Sequence, residues 1–376
     1  MPASPDSAPL LIVSASARAL ACSGAKRAIA VVALDLFNDI DTRRYARASR
    51  AVAGRGLRFD AKRLLAAADD LCPPAGCAGF VYGSGLEGRP ALIARLARSR
   101  RLYGNAPDTV RLVKEPARFF ALLDALGVAH PEVRIEPPPD PADWLVKRAG
   151  AGGGSHVRPA TRRHRRQPLR YFQRFQRGRV MSALFAADGA RARLIGFNEQ
   201  WVAGPPCRAP FGYGGAVSCA PIPDAARTRI AAWLDRLVAA TGLVGLNGLD
   251  FVLDSEETFV LEINPRPTAT IDLYDADLDG GALGTHLRAC LGELPAAPIP
   301  TAAHAHAIVY AAAALRVPAR IAWPQWCTDL PEAGSVIAAG APVCSVHAAA
   351  ATECAARRLV LTRRGLMQRT LWEKAA

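Results

Sequence analysis

Lysine is scarce in this 376-residue chain. It occurs only at Lys26, Lys62, Lys114, Lys147 and Lys374, so 42 of the 47 basic residues are arginine. The formal charge of +14 comes from arginines scattered through the whole sequence rather than from a stripe, so it does not indicate nucleic-acid binding. Where a lysine does stand, a compact ammonium is the distinctive feature. No uncharged apolar run approaches the ~18 residues of a membrane span, and the N-terminus lacks a basic-then-apolar leader pattern. The nine cysteines contain no C-x-x-C pair, which excludes a zinc ribbon and a regular disulfide framework and makes a reducing cytoplasm the expected location. The seven histidines show no metal-ligand spacing, and His304-x-His306 reads as structural. Ser14-Ala15-Ser16, after the first apolar run, lacks the glycines of a dinucleotide fingerprint.

What is present suggests two or three domains. Residues 9–104 alternate short apolar runs (Leu10–Ser14, Ala28–Leu34, Ala78–Tyr82) with helical stretches, one of them capped by Asp60, which predicts a parallel α/β layer. A helix is expected from Asp108 or Thr109 to a stop at Gly127, with Phe119, Phe120, Leu123 and Leu126 on one face. A proline-rich link at 136–141 precedes short strands over 144–185. A second amphipathic helix is expected over 224–241, with Gly242 as its stop. The last 80 residues, cut by Pro and Gly, suggest a small β-rich unit.

Three segments carry chemistry. In the first, Lys147 ends a strand and is followed by Gly150, Gly152, Gly153, Gly154 and Ser155. Such a loop exposes backbone N–H groups that close over phosphates, with the lysine supplying a point charge. In the second, the runs 249–254 and 258–263 form a hairpin in which Asp250 and Glu262 lie among apolar neighbours, where unpaired carboxylates are costly. Asn264 shares a face with Glu262 by period-two alternation. Two carboxylates and an amide oxygen suit Mg²⁺ or Mn²⁺ beside nucleotide phosphates, with ion pairs at a sheet edge as the simpler alternative. The third is the alternating strand through Gln173, Arg174, Phe175 and Gln176, whose backbone offers an edge for a purine ring.

Together and in this order, these segments resemble the ATP-grasp superfamily over nearly the whole chain. The resemblance implies an α/β (α+β) fold with three parts: an N-terminal parallel α/β domain (1–104), a two-part nucleotide clamp (105–295, lid about 144–185) and a small β-rich C-terminal region (296–376). It makes Lys114 and Lys147 the two nucleotide lysines, Asp250, Glu262 and Asn264 the metal trio, and Arg266 and Lys147 the catalytic residues, with Arg266 facing an acyl phosphate. ATP contacts would come from Lys114, Lys147, Gly152 to Gly154, Ser155 and the Gln173–Gln176 strand. Where many relatives carry a glutamate, this chain has Gln173, whose oxygen could accept from the adenine amine. A second glutamate, which binds ribose in those relatives, has no counterpart near Val180. The motifs at 33–43, 102–107, 211–215 and 264–267 resemble a branch of ATP-dependent carboligases associated with tetrahydromethanopterin and methylofuran. The implied activity is an ADP-forming carboxylate–amine ligase acting on small molecules, with glutamate attachment as the narrower implication of that branch. The implied protein is cytoplasmic and a possible homodimer, without nucleic-acid or membrane partners. A non-catalytic ATP sensor and a biotin-carboxylase-like enzyme are the competing readings.

Overall fold

The computed structural model describes residues 8–52, 54, 58–255 and 257–373; Lys374 lies outside them. The N-terminal layer is a parallel sheet in the order Ala48–Ala51, Val31–Asp35, Leu10–Val13, Gly79–Tyr82. The strand at 48–51 was not foreseen. It is short, polar and half exposed, so it has no apolar alternation to announce it. The first helix starts at Arg18 rather than Ala15, because Ala17 N donates to the buried Asp35 carboxylate and holds the preceding turn open. Asp60 caps the helix Ala61–Leu71 as expected, accepting from Arg63 N at 2.9 Å.

The helix expected from 108 to 127 is two helices, Pro107–Lys114 and Pro116–Ala125. Pro116 biases Glu115 away from helical backbone, and Glu115 is extended (φ −88°, ψ 111°). The break leaves Lys114 at a helix end, free to swing toward the neighbouring sheet.

Eight strands form one antiparallel central sheet in the order 257–264, 244–254, 179–188, 192–202, 213–217, 303–310, 342–350, 327–328. Its strand 179–188 is apolar on both faces. Ala183, Phe185 and Ala187 join Phe119, Phe120, Leu123 and the helix Asp224–Thr241 in one core, while Leu184 and Ala186 join Ile271, Leu283 and Ala21 in another. Burial on both sides explains the nearly continuous apolar run Met181–Ala187. Each fully buried Leu or Phe contributes roughly 1.5–3 kcal/mol. Gly242 ends the 224–241 helix in left-handed backbone, φ 67°.

A separate four-stranded antiparallel sheet, in the order 133–134, 170–174, 144–148, 158–159, holds the segment expected as the lid. Residues 175–178 connect it to the central sheet. The C-terminal strands 303–310 and 342–350 do not stand apart but extend the central sheet through Gly215 opposite Ala307. They are covered by a 21-residue helix, Glu353–Glu373, which the sequence did not suggest. Its buried residues Ala356, Val360, Met367 and Leu371 are diluted by Arg357, Arg358, Arg363, Arg364 and Arg369, which mask the stripe. None of the helices among the described residues is long and apolar enough to cross a membrane.

Candidate active site

The hairpin 244–254/257–264 sets the floor of the site. Asp250 lies opposite Glu262 and Gly248 opposite Asn264, but Phe251 lies opposite Val260, so Leu261 is an extra residue in a β-bulge. The bulge reverses the alternation. Val260 and Ile263 both enter the core with Leu249 and Phe251, leaving Asp250, Glu262 and Asn264 together on the opposite face. Asn264 Nδ2 donates to Asp250 Oδ2 at 2.9 Å, and Gln200 Nε2 donates to Asp250 Oδ1 at 3.0 Å. Lys114 Nζ donates to Glu262 Oε2 at 3.0 Å and to Asn264 Oδ1 at 3.3 Å. Gln200 was not singled out, because its reach to Asp250 depends on strand register that a single sequence does not display.

Electrostatics separate the two carboxylates. Burial and then the Glu262 charge push Asp250 up to about 6. Burial pushes Glu262 the same way, but Lys114 and Lys147 outweigh it and hold that carboxyl down to about 2. The donors suit a hard divalent cation: two carboxylates and an amide oxygen on one face. The described residues contain no cluster of three or more His, Cys, Asp or Glu that could hold a metal by themselves.

Lys147 comes down from the lid strand Trp144–Arg148. Burial lowers its ammonium below the ordinary lysine value, although Glu262 and Asp250 pull the other way. Its Nζ donates to Gln173 Oε1 at 2.5 Å. Gln173 is buried, and its amide nitrogen reaches Leu261 O at 3.5 Å. The side-chain oxygen expected to meet adenine is therefore taken by Lys147 in this structure. Arg174 lies over Trp144 with its guanidinium 5.9 Å from the ring centroid, Phe175 is exposed near Phe211, and Gln176 reaches Asp254 Oδ2 at 3.5 Å. Phe175 and Gln176 lie on the connection between lid and central sheet.

The glycine loop folds over this floor. Tyr213 N donates to Gly153 O at 3.1 Å. Gly154 has φ +66°, and a Cβ there would sit 1.7 Å from Phe211 O, so only glycine fits. A Cβ on Gly152 would lie 3.8 Å from Arg266 Nη2, and Ser155 Oγ is 3.5 Å from Gly152 O. His156, next in the loop, has a buried Nδ1 without a partner, and burial lowers its ring below the usual histidine value.

Arg266 is buried beside the trio. Its Nε donates to Glu87 Oε1, and its Nη2 lies 3.5 Å from Asn264 Oδ1. Glu87 belongs to the loop after the strand Gly79–Tyr82, and its other oxygen accepts from Gly85 N at 2.7 Å. The parallel layer thus supplies a wall of the site. Nothing local in the sequence marks which side chain Glu87 meets 179 residues later.

Residues 117–270 match the family model of the ATP-grasp domain. This segment is similar to an ATP-grasp domain. Its N-terminal layer and C-terminal strands lie outside that match. Over 197 residues the chain is 26% identical to the carbamoyl phosphate synthase large chain of Thermus thermophilus, covering 46% of this chain and 19% of that one. It spans about a fifth of the length of that curated relative. Among solved structures, the biotin carboxylase domain of Hydrogenobacter thermophilus 2-oxoglutarate carboxylase, a dimer in complex with MgADP, ADP and bicarbonate, superposes with a TM-score of 0.70. That similarity covers 97% of this chain and 90% of that chain at 12% identity. N5-carboxyaminoimidazole ribonucleotide synthetase from Thermus thermophilus gives 0.67 over 94% and 97% at 17% identity. The likeness establishes an ATP-grasp fold, with a parallel sheet and antiparallel sheets, beyond the matched segment.

Proposed function

We propose that the protein is an ATP-dependent carboxylate–amine ligase. The observation that carries this reading is the convergence of Lys114, Lys147, Asp250, Glu262 and Asn264 beneath a glycine loop, with Arg266 on the adjacent wall. The two ammonium groups offset the charge of the nucleotide phosphates, and each retains unused N–H donors for their oxygens. Bound magnesium adds Lewis-acid stabilisation at the phosphoryl oxygens, and Asp250, Glu262 and Asn264 would hold it.

The substrate carboxylate attacks the γ-phosphorus, the bond to the β–γ bridging oxygen breaks, and ADP leaves with that electron pair. An amine nitrogen then attacks the acyl carbon, phosphate departs with the C–O electrons, and the nitrogen loses a proton. The chain's contribution is positioning and charge. Arg266, held in place by Glu87, faces the transferring group, and the glycine loop excludes water that would hydrolyse the acyl phosphate.

The finer reading is glutamate ligation in assembly of a methylofuran or tetrahydromethanopterin cofactor, supported by the motifs at 33–43, 102–107 and 264–267. Mass detection of an amide from ATP, Mg²⁺, glutamate and candidate amines tests it. The class itself is tested by ADP release. Release that requires both an acid and an amine supports the ligase, whereas tight ATP binding with no turnover on any pair leaves a nucleotide sensor. A biotin-carboxylase-like reaction gains weight from the bicarbonate in the Hydrogenobacter neighbour, and predicts bicarbonate-dependent ADP release without an amine.

A further inference from the structure

The carboxyl ends of the parallel strands at 10–13, 31–35 and 79–82 open onto a cavity of about 240 Å³. At ~30 Å³ per water it has room for about eight molecules of solvent, or one compact organic ligand. Arg266 forms one wall, which places the cavity directly beside the nucleotide site. The remaining walls come from the turn Ala269–Leu273 and the strands 303–310 and 342–350.

The charges lining the cavity are unequal. Arg18 donates to Asp272 at 2.5 and 2.9 Å and to Asp329 at 3.1 Å, so its fork is filled. Arg266 is bonded to Glu87. Asp39 has no such partner. It lines the cavity and is 8% exposed, its Oδ2 is buried with no hydrogen bond, and its side chain does not cap the helix it precedes. Its charged neighbours are chiefly carboxylates. Burial first, then Asp329, Asp35 and Asp41, push Asp39 up to about 8, with Arg18 opposing them from a distance. Asp39 thus brings a carboxyl group with no paired cation to the polar end of the cavity, while Leu20, Phe37, Ile271, Ile308 and Val343 supply apolar walls.

We infer that this cavity binds a compact organic ammonium ion, its N–H donors on Asp39 and its hydrocarbon body against the apolar walls. The ligand's role as the ligase's amine co-substrate rests on the proposed function; the binding itself does not. An anionic ligand has no free cation to meet, because the guanidinium groups of Arg18 and Arg266 are already engaged. The acceptor side therefore lies here, at the edge of the N-terminal layer.

Calorimetry on the full chain without nucleotide, using benzylamine, benzyl alcohol and benzoate, tests the inference. Benzylamine should bind at least tenfold more tightly than benzyl alcohol, with benzoate weakest. Asp39→Asn should abolish the preference for benzylamine. Phe37→Ala, at a half-exposed position that folding tolerates, should weaken the amine and the alcohol alike. Equal affinity for the amine and the alcohol overturns the proposal, as does a preference that survives in Asp39→Asn. If Asp39→Asn does not fold, the ranking of the three probes on the wild-type chain and on Phe37→Ala decides. Amine binding without amine-dependent ADP release would sink the ligase reading and leave the cavity assignment standing. Amine-dependent ADP release with no benzylamine preference would do the reverse.

Discussion

Two buried clusters in this protein are built from the same parts, cations between carboxylates, and they do opposite work. At Arg18, all three nitrogens of a planar fork are engaged. Asp272 takes two of its donors, Asp329 takes a third, and the arrangement ties the first helix to the turn at 269–273 and to the C-terminal segment. At Lys114 and Lys147, each ammonium makes one or two contacts and keeps donors in reserve, while Asp250 and Glu262 keep lone pairs facing the same space. A closed cluster holds segments together; one with unspent hydrogen-bonding capacity is able to take a ligand. The choice of arginine for one and lysine for the other follows from the geometry of the two groups.

That contrast can be broken at either end. The largest effect should come from Asp250→Asn combined with Glu262→Gln. Turnover should fall on the order of 10³-fold, with thermal stability nearly unchanged, as read by ADP release and melting. A comparable loss of stability would place these carboxylates in the structural category instead.

Arg18→Met should do the converse. It strands Asp272 and Asp329 in the interior and should cost about 3 kcal/mol in denaturant unfolding, while leaving the nucleotide affinity of the folded fraction intact. Acid sensitivity provides a second measure. Burial raises both carboxyls, but Arg18 outweighs it and holds them below the usual range. Their stabilisation is therefore present above the unfolded value of about 3.9 and lost as pH falls through the lower folded values. In Arg18→Met, this loss of stability on acidification should disappear.

Exchanging the cations is a finer test. Lys147→Arg should weaken ATP binding about tenfold, because a fork cannot replace a compact charge in contact with Gln173; calorimetry reads it. Arg18→Lys should cost about 1–2 kcal/mol through lost bidentate bonding. The smallest effect is expected at Gly154→Ala. Blocked from its close approach to Phe211 O, the loop should seat poorly, and ADP released without amide product should rise severalfold.

Much of this arrangement could be read from the chain, and the limits have physical causes. The hairpin carboxylates, the two lysines and the glycine loop are local patterns, each visible within a dozen residues. The family match at 117–270 supports the ATP-grasp resemblance drawn from them. The bulge at Leu261 was not visible, because it appears only when two strands are set in register. Glu87, Gln200 and Asp39 escaped for a related reason: each acquires its surroundings from a segment far away in sequence. The Glu353–Glu373 helix was hidden by its own arginines, whose aliphatic stems and charges interrupt the apolar pattern without interrupting the helix.

The Arg18 cluster also imposes an order on synthesis. Asp272 follows Arg18 by 254 residues and Asp329 by 311. At ~5–20 residues per second, a ribosome takes roughly 15–60 s to cover the longer interval. Until Asp272 is made, the guanidinium of the first helix has only Asp41, 3.9 Å away in the finished protein, as a counter-charge, and Asp329 is missing for the rest of that interval. The N-terminal layer can begin to form early, but the floor of its ligand cavity cannot close until the C-terminal strands arrive. Nascent chains halted before residue 329 should therefore remain open to protease at the 14–20 segment, long after the parallel sheet itself has paired.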